Sequence, residues 1–141
     1  MLGIGTVGGL ATLTGLPLLI APLGATVVLL FGHPGSPLAQ PINIFGGYLL
    51  ATILGVAAAL TFPGVWWIAA IAVGAAIAGM LMFRITHPPA GAIPLVALAA
   101  PLQSATLFGT ILVSCISLVA IALVHHRLPP RIAYPKPLPQ N

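Results

Sequence analysis

The sequence predicts an all-α membrane protein: a polytopic helical bundle of two repeats, each a helix, a broken short helix and a helix, with the second repeat inverted. Three observations predict it. Of 141 residues, 60% are hydrophobic and 3% charged, where soluble domains carry roughly 25% charged residues; mean hydropathy is +1.19. Three uninterrupted apolar runs each reach the ~20 residues that a helix needs to cross about 30 Å of hydrocarbon. Two shorter apolar runs carry prolines and resemble each other. The length allows one compact unit, read as a single transmembrane domain over residues 1–126 and a proline-rich basic tail over 127–141.

Taken in order, residues 1–14 are apolar, short and glycine-rich, and read as a truncated or tilted first helix. No basic stretch of the kind that opens a secretory signal precedes them, so they are expected to belong to the mature protein. Leu16 to Phe31 carries Pro17 and Pro22; proline suits a first helical turn and breaks an interior, so an extended entry should lead into a short helix. Gly32-His33-Pro34-Gly35-Ser36-Pro37 is a turn cluster. Residues 43–62 and 65–83 are charge-free spanning helices, joined at Phe62-Pro63-Gly64, with Trp66 and Trp67 at the interface. Pro88 to Ala100 repeats the broken pattern through Pro88, Pro89 and Pro94, residues 104–124 span again, and the tail has five prolines and three basic residues in fifteen positions, an extended and weakly ordered composition.

The repeat rests on matched order. Pro22-Leu23-Gly24-Ala25 pairs with Pro89-Ala90-Gly91-Ala92 at a spacing of 67. Downstream, Pro37-Leu38-Ala39-Gln40 and Ile44-Phe45-Gly46 pair with Pro101-Leu102-Gln103 and Leu107-Phe108-Gly109, with Gln and Phe-Gly aligned at a spacing of 63. The units are residues 1–62 and 65–124, and an odd number of crossings inverts the second. Broken helices are tolerated at membrane depth where protein buries them or where they line a cavity, which makes both broken segments functional candidates. If the segment after Arg84 crosses, Arg84 and the tail fall on one side, taken as cytoplasmic by the positive-inside rule.

The chain contains no Asp or Glu and four Lys+Arg. Carboxylate acid/base pairs, Ser-His-Asp triads and carboxylate-bound Mg²⁺ or Ca²⁺ cannot be built, so no enzyme and no cofactor is expected. The formal charges are all positive, and the cargo is expected to be an anion rather than a cation or a nucleic acid. No metal site is expected from the four histidines, because adjacent His125 and His126 point to different faces and no other ligand lies at helical spacing. His33 reads as an exposed loop residue, the adjacent pair as complementing a helix C-terminus, and the lone Cys115 as a small hydrophobe.

The strongest constellation is Arg84-Ile85-Thr86-His87-Pro88-Pro89-Ala90-Gly91-Ala92: a cation, a hydroxyl and an imidazole before a helix start. Helix starts offer unpaired N–H groups to anions, and glycine lets a ligand approach. Pro22, Gly24, Ala25 and Thr26 would supply a second start facing the first across a pseudo-twofold axis. Gln40, Asn43 and Gln103 have amide donors that serve an anion or stitch helices together. Arg84 equally suits a headgroup-level cation that snorkels. Small residues at Gly5, Gly9, Ala70, Gly74 and Ala78 favour close helix contacts within the chain or in a homo-oligomer.

Thr86-His87-Pro88-Pro89-Ala90-Gly91-Ala92, with Ala21-Pro22-Leu23-Gly24-Ala25, Val28-Leu29-Leu30-Phe31-Gly32 and the Ser36–Gln40, Pro41, Asn43, Gly46-Gly47 pattern, resembles the HPP family of integral membrane proteins, named for its His-Pro-Pro motif. The resemblance covers residues 1–124. It implies a small membrane protein, usually described with four transmembrane segments, and an anion transporter, since plant plastid and cyanobacterial members are implicated in nitrite transport; His87, Pro88 and Pro89 are then the signature positions. With no plastid transit peptide ahead of the core, a bacterial inner membrane is expected. The resulting expectation is transport of a small monovalent anion such as nitrite, bound at paired short-helix starts near the membrane midplane, by a protein whose partners are that anion and membrane lipid. The rival reading is a non-transporting anchor or regulatory subunit acting through its tail.

Overall fold

The computed structural model describes residues 2–15, 20–99, 103–129 and 131–136. Pro17, Pro101, Leu102 and the tail beyond Lys136 lie outside the described residues. Every described element is helical. The stretch read as the first unit, residues 1–62, holds α1 (Leu2–Thr14), α2 (Ala21–Val27) and α3 (Pro41–Thr61); that read as the second, residues 65–124, holds α4 (Trp66–Met82), α5 (Ile93–Ala99) and most of α6 (Ser104–Arg127). Helix α2 runs on as a wide π turn over Val28–Gly32, α5 is entered through a 3₁₀ segment over Pro88–Ala92, and another 3₁₀ turn, Pro37–Ala39, precedes α3. Helices α3 and α6 are long and apolar enough to cross a membrane. Their start and stop signals are local: proline in the first turn at α2 and α3, and left-handed Gly15 and Gly64 after α1 and before α4.

Helix α3 packs on α4, α5 and α6. The α3–α5 contact is close because Gly55 has no side chain: a Cβ there would lie 2.8 Å from Pro94 Cα. Burial follows the repeat spacings. The buried positions of α3, Ile44, Gly47, Tyr48, Ala51, Thr52 and Gly55, lie 63 residues before Leu107, Thr110, Ile111, Ser114, Cys115 and Leu118, all buried on α6. Pro22, Leu23 and Thr26 are buried, as are Pro89, Ala90 and Ile93, 67 residues on. Pairings match as well: α3 meets α4 and α5, while α6 meets α1 and the π turn that extends α2.

The loop from His33 to Gln40 folds into the end of the bundle, and polar side chains satisfy its carbonyls as burial demands. Gln40 Nε2 donates to Pro34 O at 3.0 Å and Ser36 O at 2.8 Å. Leu30 O cannot be met by the residue four on, Pro34, which has no N–H; His126 Nε2 donates to it at 2.8 Å. His126 is thus a buried cross-chain donor, more than the dipole-complementing residue expected, whereas His125 and His33 are exposed. Cys115 is buried, and Trp66 and Trp67 are exposed at the head of α4.

The tail departs from expectation. Instead of hanging loose, residues 131–136 return to the bundle: Ile132 N–H donates to His126 O at 3.1 Å, Tyr134 O–H to Ala39 O at 3.0 Å and Lys136 N–H to Gln40 Oε1 at 2.9 Å. Composition misses this because one buried tyrosine outweighs the extended bias of the prolines around it. Burial pushes the Tyr134 phenol up to about 12. The docked tail binds that proton more tightly than a free tail, whose tyrosine titrates near pH 10, so docking is fully stable below about pH 10 and weakens as pH rises toward 12. The tyrosinate absorbance that disappears in Tyr134→Phe should therefore have its midpoint near pH 12; a midpoint near 10 would mean an undocked tail.

Among the described residues, the small-residue stripes face outward. Gly5 and Gly9 of α1, and Ala70, Gly74 and Ala78 of α4, are exposed, while Ile68, Ala72, Ala76 and Met80 form the buried face of α4.

Candidate functional site

The two broken segments meet. Thr26 Oγ1, one turn into α2, lies 2.9 Å from His87 Nε2 and 2.7 Å from the Tyr48 hydroxyl of α3, and His87 Nδ1 lies 2.8 Å from Leu38 O. All three side chains are fully buried. Gly47 makes room for the imidazole, since a Cβ there would fall 2.8 Å from His87 Cβ.

A carbonyl only accepts, so Nδ1 carries a hydrogen and donates to Leu38 O. With a neutral ring, Tyr48 O–H donates to Thr26, and Thr26 O–H donates to Nε2. Protonation at Nε2 reverses one bond: the ring then donates to Thr26, whose hydrogen turns to Pro22 O, 3.2 Å away. One hydroxyl rotation therefore satisfies the cluster in either protonation state. No carboxylate takes part, and no group of three or more metal-ligating side chains occurs among the described residues.

Around this relay, the expected site residues divide. Pro22, Pro89 and Gly91 are buried beside it, whereas Pro88 and Ala25 are exposed and Gly24, Thr86 and Ala92 half-buried. The two helix starts do not face each other as equals, because the His87 end of one meets the second turn of the other. At the 67-residue spacing, the counterparts of Thr26 and His87 are Ile93 and Ile20, so the polar relay exists once. Backbone donors are also fewer than expected: Pro22, Pro88 and Pro89 have no N–H, and Leu23 and Ala90 N–H are taken by Ile20 and His87 carbonyls. Gly91 faces α4, where a Cβ would touch Ile77 at 3.7 Å, whereas a Cβ at Gly79, inside α4, would meet Leu50 at 2.9 Å.

Both Gln40 donors are committed to the loop, and Asn43 Nδ2 donates to Thr86 O at 2.9 Å, so these amides stitch the fold. Gln103 is exposed and lines a cavity of about 430 Å³ with Val56 and Leu60, at the far end of α3; it does not join the relay. Tyr48 lies about 10 Å along α3 from Pro41 at 1.5 Å per residue, within one turn of the middle of the helix.

Arg84 is exposed and left-handed at φ 56°. It follows α4 in a Schellman closure, where Ile85 N–H bonds Met80 O at 3.0 Å and Arg84 N–H bonds Leu81 O at 3.2 Å, a position that favours glycine. Arg84→Gly should therefore be more stable than Arg84→Ala by about 1 kcal/mol; equal melting of the two would remove the strain argument. The Asn43–Thr86 and Gln40–Lys136 bonds put Arg84, the start of α3 and the docked tail at one end of the bundle. With Arg127 at the end of α6, all four fixed cations gather there.

Tyr48 is the participant that motif reading missed. A lone phenol amid an apolar span was the available signal, since polar groups at membrane depth are functional candidates by default.

Comparison with known proteins adds a family and distant relatives. The family model described as HPP, transmembrane region matches residues 1–135. Two transmembrane proteins of Dictyostelium discoideum are 39% and 37% identical over 82 residues, which make up 55% of this chain and 26% and 29% of theirs. The chain thus spans little more than a quarter of the length of these relatives. No solved structure matches it.

Proposed function

The chain belongs to the HPP transmembrane family, and on that premise we propose that it is a transporter of a small monovalent anion, with nitrite as the cargo implied by the family's plastid and cyanobacterial members. The observation that carries this is the Thr26–His87 bond: the two broken segments of a chain without Asp or Glu are joined by donors that an anion can recruit. His87 Nδ1–H, Thr26 O–H and Tyr48 O–H are held by internal acceptors when the site is closed. An arriving anion replaces Leu38 O as acceptor for Nδ1–H, and the hydroxyls turn toward it.

Opposite directions of α3 and α6 support an inverted repeat and alternating exposure. As α3 advances from Phe45 to Leu60, its neighbours on α6 recede from Cys115 to Ser104. The cationic end is assigned to the cytoplasm by the positive-inside rule, in a bacterial inner membrane. In a Cys115→Ala background, cysteines at positions 84 and 136 should be labelled from the same side; labelling from opposite sides would sink the inverted arrangement. The docked tail speaks against the anchor reading, because the described part is occupied by its own chain.

Uptake into proteoliposomes tests the function. Nitrite should accumulate faster than in empty vesicles, with nitrate, formate and chloride compared alongside. Vesicles no more permeable than lipid alone to all four anions would overturn it.

A further inference from the structure

Where α6 ends and the tail turns back, His126, Arg127, Arg131 and Tyr134 wall a cavity of about 600 Å³. His126 is 3% exposed. Its Nε2–H is committed to Leu30 O, and the ring is braced by Phe31 and Tyr134 at centroid distances of 5.9 and 5.3 Å. Its Nδ1 is buried with no hydrogen-bond partner among the described residues. A buried polar atom without a partner costs free energy that a ligand would recover.

We propose that this elbow binds a phosphate oxyanion, carried by a phospholipid headgroup or free in solution. The charge is right: two exposed guanidiniums flank the cavity, and the sequence has no Asp or Glu side chain to neutralise them. The guanidinium fork matches phosphate oxygens in pairs. Carbonyls at a helix end ordinarily repel anions, but here His125 O and His126 O accept from Leu128 and Ile132 N–H. An oxyanion held by the two guanidiniums can order a water that donates one hydrogen to a phosphate oxygen and the other to Nδ1, and the unpaired atom finds its partner. Because α6 is a candidate span that finishes at Arg127, the elbow sits at the level where headgroup phosphates lie. It shares no residue with the Thr26–His87–Tyr48 relay.

The test uses the full chain. In neutral detergent, its melting temperature is followed as inorganic phosphate is added. In phosphatidylcholine nanodiscs, it is followed with and without phosphatidylglycerol, and lipid retention is read by native mass spectrometry. The comparison is the Arg127→Gln/Arg131→Gln variant, whose changes are exposed and leave the core intact. Saturable stabilisation is expected in the wild type, with binding about tenfold weaker in the variant, as for loss of charge-assisted bonds. Response to phosphatidylglycerol alone identifies a headgroup as the source, and response to phosphate alone, or to both, identifies the free ion as a sufficient ligand. Response to neither, or an undiminished response in the variant, overturns the site.

Discussion

Gly55→Val is expected to deprive the chain of a stable fold, and Gly47→Ala to lower stability by about 1 to 3 kcal/mol, the usual range for overpacking. At Gly55 a bare Cβ would already stand 2.8 Å from Pro94 Cα and 3.2 Å from Ala97 Cβ. The first is backbone, and it belongs to a helix held against α3 and α4 together, so valine's two further methyls have nowhere to go unless α5 moves as a body. At Gly47 the obstacle is His87 Cβ at 2.8 Å, with Ile85 O at 3.2 Å; a shift that relieves it stretches the His87–Thr26 and His87–Leu38 bonds. Gly74 is the control, because nothing lies within 4 Å of its Cβ position. Gly74→Ala should be neutral or stabilising by up to about 1 kcal/mol, since alanine is the better helix former. Thermal melts of the three variants in one detergent decide it: equal stability at positions 55 and 74 would mean that the α3–α5 contact is loose.

Much of this architecture was legible because its signals are local. The apolar runs became α3, α4 and α6, though α4 stops at 17 residues and only α3 and α6 reach spanning length, and Pro22, Pro88 and Pro89 opened the short segments as a missing N–H requires. The repeat, read from a few matched prolines and glycines, is mirrored in burial at the same spacings. What escaped is set by long-range partners. Nothing near Tyr134 in the chain announces that it will fill the space beside Ala39, nor anything near His126 that Leu30 O lacks a donor. Gln40 and Gln103 occupy matched places in the repeat, yet one is locked into a loop and the other faces outward at the opposite end. Arg84 contradicts local preference outright, holding a backbone conformation that glycine would adopt without strain. At the site, the motif pointed to His87 and the repeat to Thr26, but only the fold joins them, and it does so once because isoleucines occupy the equivalent positions.

Thr26→Val should have the largest effect on function. The two side chains are nearly the same shape, so packing is kept while the hydroxyl at the centre of the relay is lost. The Tyr48 hydroxyl and His87 Nε2 are left buried without their partner, at about 1 to 3 kcal/mol each when no water replaces it. Thr26→Ser retains the hydroxyl and should cost less than either. The sharper readout is the pH profile of anion uptake. An anion held beside His87 favours the imidazolium form, and linkage makes the preference mutual, so protonation must strengthen anion binding by the same factor. Uptake by the wild type should then rise as pH falls. The cluster follows that change only because Thr26 can turn its hydrogen from Nε2 to Pro22 O. Valine has no hydrogen to turn and no oxygen to receive the ring's second proton, so the charged ring has no acceptor in the closed state, and Thr26→Val should transport slowly with a flat profile. Thr26→Ser should keep the slope, and His87→Gln should lose it. A sloping profile preserved in Thr26→Val at normal expression would show that proton and anion meet elsewhere, and would leave the relay as the clasp between the two halves.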